Sequence, residues 1–352
     1  MNINPQQLIL ARVYRQYTQT SLAKNITGLS QSNLSKFEKG VDILSDDIVM
    51  RIVDFLGFPI DFFSKHISNF SENANYRKRA SMTKSKRDKI DVTCKIIGYV
   101  IDQMSQDLEF PRFNLKMIDI EEGYTPIYCA RYTRKILGID SGAVKDINHI
   151  LESNGIIVIE FDFDSEEFDG VSFISDGGFP IIIINKNFSN DRKRFSIAHE
   201  LGHIIMHSDI RNLYPEHRNK EHEANMFASE FLMPEIHIKS DLRNLSIRNL
   251  IQLKQYWLTS MASIIRRAKD LGCISKERYS YLNIELSREG YKKRDPADVY
   301  IDEPKIFTTS YSLYKDELHY SNNDLSQAFA LPLDIIETLF YNNKSHKLRV
   351  II

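Results

Sequence analysis

Two histidines four residues apart, His199 and His203, with Glu200 directly after the first, are the residues of this sequence best suited to chemistry. On an α-helix that spacing puts both imidazoles on one face, one turn apart, where they can give two nitrogens to a single tetrahedral metal such as zinc. Glu200 then stands beside the first nitrogen ligand, where a carboxylate can take the proton of a water activated by the metal. The flanks Ile197, Ala198, Leu201, Ile204 and Ile205 are apolar, as a buried helix requires. Gly202 costs a helix about 1 kcal/mol relative to Ala, which predicts that another backbone approaches closely there. The competing reading is a buried helix whose histidines are merely hydrogen-bonded.

A third ligand should come from a second helix. Residues 221–234 carry Ala224, Phe227, Ala228, Phe231 and Leu232 as one apolar stripe, and Pro234 ends the run. Glu221 and Glu223 both lie near the start of this helix, and either could complete a metal site. His222 points away from both and is expected in solvent.

The composition bounds the setting for this chemistry. At 352 residues two or three domains are expected, each able to bury a core. A net charge of −1 carries no polyanion signature, so any nucleic-acid surface must be local. Cys94, Cys129 and Cys273 form no metal or redox spacing and suggest a reducing cytoplasm. There is no signal-peptide pattern at the N-terminus and no apolar run long enough for a membrane span.

Ahead of the metal motif, residues 5–64 read as short helices. Leu8, Ile9, Ala11 and Val13 mark the first; Thr18 caps the second; Ser30 caps a third from Gln31 to Lys39, ended by Gly40; Asp46 to Phe55 forms another. A Gly28-containing turn between short helices is a helix-turn-helix, whose second helix would offer Gln31, Ser32, Asn33 and Lys36 to a major groove, with Gln19 nearby. This stretch, with its TQ…LA…GLSQSNLSKFEKG run and its Leu56-Gly57-Phe58-Pro59 ending, resembles the XRE family of lambda-repressor-like DNA-binding domains. The resemblance implies double-stranded DNA as a partner, and paired half-sites would make a homodimer reasonable. Its acidic residues Asp42, Asp46, Asp47 and Asp54 are a departure, and a small protein-binding bundle is the alternative. Residues 71–89 are polar and basic, suited to phosphate contacts or to a solvated linker.

Helices are expected at Ile90–Met104, Tyr124–Leu137 and Asp146–Ser153. Short β-rich runs follow at Ile156–Phe161, Gly170–Ser175 and Phe179–Asn185, read as a small, mostly antiparallel sheet leading into the metal helix. An edge strand of such a sheet can pair with an extended peptide. The pieces LESNGIIVI, DGVSFI, IIIIN, RFSIAHELGHIIMH and EHEANMFASEFLMP resemble the ImmA/IrrE family of metallopeptidases. The resemblance implies a zincin fold, one zinc ion (Zn2+) and peptidase activity on a partner repressor, with His199 and His203 as ligands and Glu200 as base. Glu221 followed four residues later by Asn225 resembles the gluzincin arrangement, in which the Glu is a ligand and the Asn orients a ligand histidine; that favours Glu221 over Glu223. The metzincin continuation is excluded by Met206 and Asp209. His207 matches a histidine often seen after the family motif and is given a supporting role. Tyr214 and His217 are candidates for stabilising an oxyanion.

Beyond Leu242 the sequence is again helical, with Leu250, Leu253, Tyr256 and Trp257 expected in the core and Arg266 and Arg267 exposed. Leu325–Phe340 reads as one helix and Leu348–Ile352 as β-prone. The expected organisation is multidomain and mainly α with a small β-sheet: an all-α helix-turn-helix domain (1–70), a basic linker (71–89), an α+β zincin-like metallopeptidase domain (90–240) and a C-terminal helical region (241–352). The expected function is a cytoplasmic, DNA-binding zinc endopeptidase that cleaves a repressor or antitoxin-like regulator. The alternative is a transcriptional regulator that uses the same fold to sense a ligand or partner and cleaves nothing.

Overall fold

Alternation along three short strands divides the molecule into two cores. The computed structural model describes residues 3–65, 67, 75–78, 82–208, 218–292 and 296–341. Its sheet contains β1 (Asn75–Lys78), β2 (Ile157–Phe161), β3 (Phe168–Ile174) and β4 (Pro180–Asn185), in the order β1-β3-β4-β2. β3 runs antiparallel to both β1 and β4, and β2 runs parallel to β4. Side chains of a strand alternate between faces. Ile157, Ile159, Val171, Phe173, Ile181 and Ile183 therefore enter one core, and Val158, Ile182 and Ile184 enter the other. The polar stretch before residue 89 contributes β1 to the β3 edge, and helix formation begins there earlier than expected, at Lys84 behind the Thr83 cap.

The N-terminal unit is all helical: α1 (Pro5–Tyr14), α2 (Gln19–Asn25), α3 (Gln31–Glu38) and α4 (Asp46–Leu56). Local capping sets its boundaries. The Thr18 side chain accepts from the Ser21 backbone N–H in a reciprocal capping box, Ser30 accepts from the Asn33 N–H, and Gly57 ends α4 at φ 67°. Leu8, Leu22, Leu34, Ile52, Phe62 and Phe63 fill its centre. Between α1 and α3, the Arg12 guanidinium donates in bidentate fashion to the buried Glu38 carboxylate at 2.6 and 2.8 Å.

The first core continues through α5 (Lys84–Met104), which packs against α1, and then into the C-terminal helices. Around the second core lie α6 (Pro126–Ile136), α7 (Ile147–Ser153), α8 (Asn190–His207), α9 (Lys220–Leu232), α10 (Glu235–Ile238), α11 (Ile247–Trp257), α12 (Met261–Asp270) and α13 (Lys276–Arg288). The chain then returns to the first core with α14 (Ile306–Asp316), α15 (Asn322–Ala328) and α16 (Leu333–Tyr341). The single helix expected over Leu325–Phe340 is thus two helices. Pro332 lacks the N–H that would continue the first, and Ala330 sits at φ 50° in the break. The expected β-prone end lies outside the described residues. Among the described residues no helix is long and apolar enough to cross a membrane.

Two surface expectations fail in this region. Arg267 is buried: it donates to the Met233 carbonyl at 3.1 Å and pairs with the fully buried Glu230, so only Arg266 is exposed. Tyr256 is exposed, while its neighbour Lys254 is buried against Asp191 at 3.1 Å. A buried partner carboxylate reverses the usual placement of a cation, and sequence spacing does not reveal partners from distant elements.

Candidate metal centre

α8 lies between β3 and α9, and its polar stripe is what the two neighbours address. His199 and His203 are fully buried, and their Nε2 atoms lie 3.1 Å apart. Glu221, in the first turn of α9, brings its carboxylate to 3.4 Å from His199 Nε2 and 3.3 Å from His203 Nε2. These three residues form the one candidate metal cluster among the described residues. Glu223 points elsewhere, its Oε2 atom lying 2.9 Å from His207 Nε2.

The donor set can be tested by its hydrogen bonds. His199 Nδ1 is 3.2 Å from Asn225 Oδ1, and a carbonyl oxygen can only accept. His199 therefore carries its proton on Nδ1 and turns a lone pair inward from Nε2. His203 Nδ1 is 2.9 Å from His207 Nδ1, whose other nitrogen meets the Glu223 carboxylate. With His207 donating to Glu223, His203 must donate to His207, and its Nε2 also presents a lone pair. Two lone pairs and a carboxylate then converge on one point with nothing between them to donate, an arrangement that a cation stabilises. The spacing agrees. Four-coordinate zinc with bonds of about 2.0–2.1 Å separates its ligand atoms by about 3.4 Å.

Burial drives the electrostatics. It lowers the His203 pKa to about 4, against the opposing bond to Glu221. Burial would raise the Glu221 carboxyl, but the bonds to His199 and His203 outweigh it and hold the group well below the usual carboxylate range. Both effects keep the His203 imidazole neutral and the Glu221 carboxylate charged, the forms that bind metal.

Glu200 is buried on the same helix, and its Oε2 accepts from the Ser172 hydroxyl at 2.7 Å. The sequence reading did not single out Ser172. Small residues on the β3 face towards α8 were the available signal: a Cβ at Gly170 would lie 3.1 Å from the Ile183 carbonyl oxygen and 3.5 Å from Glu200 Cγ. Gly202 also marks a close approach, but to a side chain. A Cβ there would meet the Phe227 ring at 3.1 Å, so the expected backbone neighbour is an aromatic face of α9. A cavity of about 1150 Å3 adjoins the site, lined by Phe195, His222, Asn225 and Met226 and also by Lys254, Arg266 and Leu271. His222 is exposed there. Tyr214 and His217 lie outside the described residues.

In the N-terminal unit, Gln31, Ser32, Asn33 and Lys36 form the exposed face of α3. Gln19 is half-buried. Its amide donates to Glu38 at 2.7 Å and its carbonyl oxygen accepts from the Gln31 amide at 2.9 Å, so it braces Gln31 from behind.

Residues 10–63 match the family model described as helix-turn-helix, and residues 151–269 match the one described as IrrE N-terminal-like domain. No curated protein matches the chain. The chain therefore joins an XRE-type helix-turn-helix domain to an ImmA/IrrE-type domain of a metallopeptidase family, in that order.

Proposed function

We propose that the chain is a zinc-dependent endopeptidase guided by its DNA-binding domain to a regulatory protein, a repressor or antitoxin-like partner, which it cleaves. The observation that carries this reading is the convergence of His199 Nε2, His203 Nε2 and a Glu221 oxygen at 3.1–3.4 Å, with Glu200 on the same helix. These three residues would hold the metal, which when bound supplies the positive charge that acidifies water and polarises a peptide carbonyl. Glu200 takes the proton from the attacking water on its carboxylate and returns it to the leaving amine. The Ser172 hydroxyl orients that carboxylate, and Asn225 keeps His199 in the tautomer that presents Nε2. The adjoining cavity is the space in which the substrate's side chains would lie. The exposed polar face of α3 would read base edges, with Gln31 and Asn33 suited to adenine. In this reading the activity is cytoplasmic, in keeping with a DNA partner and with three cysteines that form no metal or redox spacing.

The test pairs metal content with cleavage. The purified chain is expected to hold about one zinc, and Glu221→Ala to lose it. Glu200→Gln is expected to keep zinc and lose cleavage, read as new protein N-termini in a cell extract. Cleavage retained in Glu200→Gln would remove Glu200 as the base, and a chain that takes up no zinc would leave only a regulator that senses without cutting.

A further inference from the structure

The third histidine of the α8 stripe takes no part in the proposed site, yet it is buried with it. His199, His203 and His207 stand one turn apart along one face, and all three have fully buried side chains. His207 lies between His203 and Glu223 with ring nitrogens 2.9 Å from each. Glu223 is clamped in turn by Arg218, whose Nε and Nη2 donate to Oε1 at 2.8 and 2.7 Å. The remaining arm of Arg218 donates to Glu121 at 2.5 Å, tying the chain of bonds to the turn before α6.

We infer that His207, Glu223 and Arg218 are positioning residues that act on the metal through His203, forming a charged hydrogen-bonded chain that fixes its tautomer and strengthens its Nε2 as a donor. The inference rests on the proposed zinc site. Its direction follows from the ends of the chain. Arg218 can only donate, so Glu223 is the acceptor for it and for His207 Nε2–H. His207 Nδ1 is then left to accept from His203 Nδ1–H, and His203 Nε2 faces Glu221 as a lone pair. Partial transfer of negative charge along this path makes the His203 ring more basic, as a carboxylate does when it meets a metal-bound imidazole directly.

The two ligand histidines are therefore supported unequally. His199 leans on the neutral amide of Asn225 at 3.2 Å, whereas His203 leans on a carboxylate relayed through a second imidazole at 2.9 Å. This also gives Glu223 a definite role. It occupies the same turn of α9 as Glu221 but faces away from the ligand atoms, and its charge reaches the site only through His207.

The experiment measures zinc affinity of the full-length chain by chelator competition, together with the visible absorption spectrum of the cobalt-loaded protein. Glu223→Gln and His207→Gln are expected to weaken zinc about 10- to 100-fold and to shift the cobalt bands without abolishing them. The double variant should be no weaker than His207→Gln alone, because both act through one ring. Arg218→Gln, at the half-exposed outer end, should give a smaller loss in the same direction and carries the test if His207→Gln does not fold. Zinc affinity within twofold of wild type and unchanged cobalt bands in the Glu223 and Arg218 variants would overturn the inference while leaving the metal site standing. Loss of metal in Glu223→Gln with retention in Glu221→Ala would overturn both, since Glu223 would then be the ligand.

Discussion

Replacing Gly202 by Ala sets helix propensity against packing at the junction of α8 and α9. In an isolated helix the change would stabilise by about 1 kcal/mol. Here the new methyl would lie 3.1 Å from Phe227 Cγ and Cδ1 and 3.2 Å from its Cβ, inside ordinary contact distance. Phe227 cannot turn aside: it is fully buried and stacks on Phe231 with centroids 5.8 Å apart and planes 11° from parallel. Relief must come from α9 moving off α8 by a few tenths of an ångström. Overpacking of this kind costs about 1–3 kcal/mol, so the balance is a net loss of about 0–2 kcal/mol. The same movement withdraws Glu221, which lies less than two turns before Phe227, from its 3.3–3.4 Å separation from the histidines. Urea unfolding in the presence of a chelator should show the loss of stability, and chelator competition should show weaker zinc binding. A variant about 1 kcal/mol more stable than wild type with unchanged zinc affinity would show that the junction has slack, and the argument for close approach would fail.

Two further predictions concern buried charge. Glu230→Ala strands the buried Arg267 and should destabilise by about 3–5 kcal/mol in urea unfolding, whereas Glu230→Leu combined with Arg267→Met should recover most of that; equal losses in both would refute the pairing argument. Burial raises the Glu152 pKa to about 7, although its carboxylate accepts from the Lys305 and Ile306 N–H groups at 2.8 and 3.0 Å. The folded state then holds this proton more tightly than the unfolded state, so stability is fully present below the unfolded pKa of about 4.3 and falls as pH rises towards 7. The stability difference between wild type and Glu152→Gln should therefore change across pH 5–7; a constant difference would refute it.

What was legible in the sequence was what is decided locally. The helix-turn-helix boundaries follow from Thr18, Ser30 and Gly57, whose caps involve neighbours within a few residues. The His199–His203 pair follows from the helical period alone. The choice between Glu221 and Glu223 was open on period, because both lie in the first turn of α9 and only the packing of α9 on α8 decides which carboxylate faces the histidines. Ser172 carried only the signal of a small residue, on a strand whose facing helix is unknown until the sheet forms. Arg267 misled for a related reason. Its partner Glu230 lies 37 residues away, and without a partner a cation reads as surface. The role of His207 required three elements at once, since its bonds run along α8, across to α9 and out through Arg218.

The strands that present the site also share a core with the helix-turn-helix unit. Val171 and Phe173 of β3 face the core shared by α1, α5 and the C-terminal helices, while Gly170 and Ser172, between and beside them, face α8 and Glu200. Further bonds tie these elements together: Arg15 donates to Asp334 at 2.5 Å at the surface, and the Tyr99 hydroxyl donates to the Phe329 carbonyl at 2.9 Å inside. A strand has no slack between its faces, because successive side chains are separated by a single backbone. Any displacement of β3 towards or away from α5 is therefore also a displacement of the Ser172 hydroxyl relative to Glu200. The helix-turn-helix unit packs through α1 on α5, whose core also takes in the back of the sheet that carries α8 on its front.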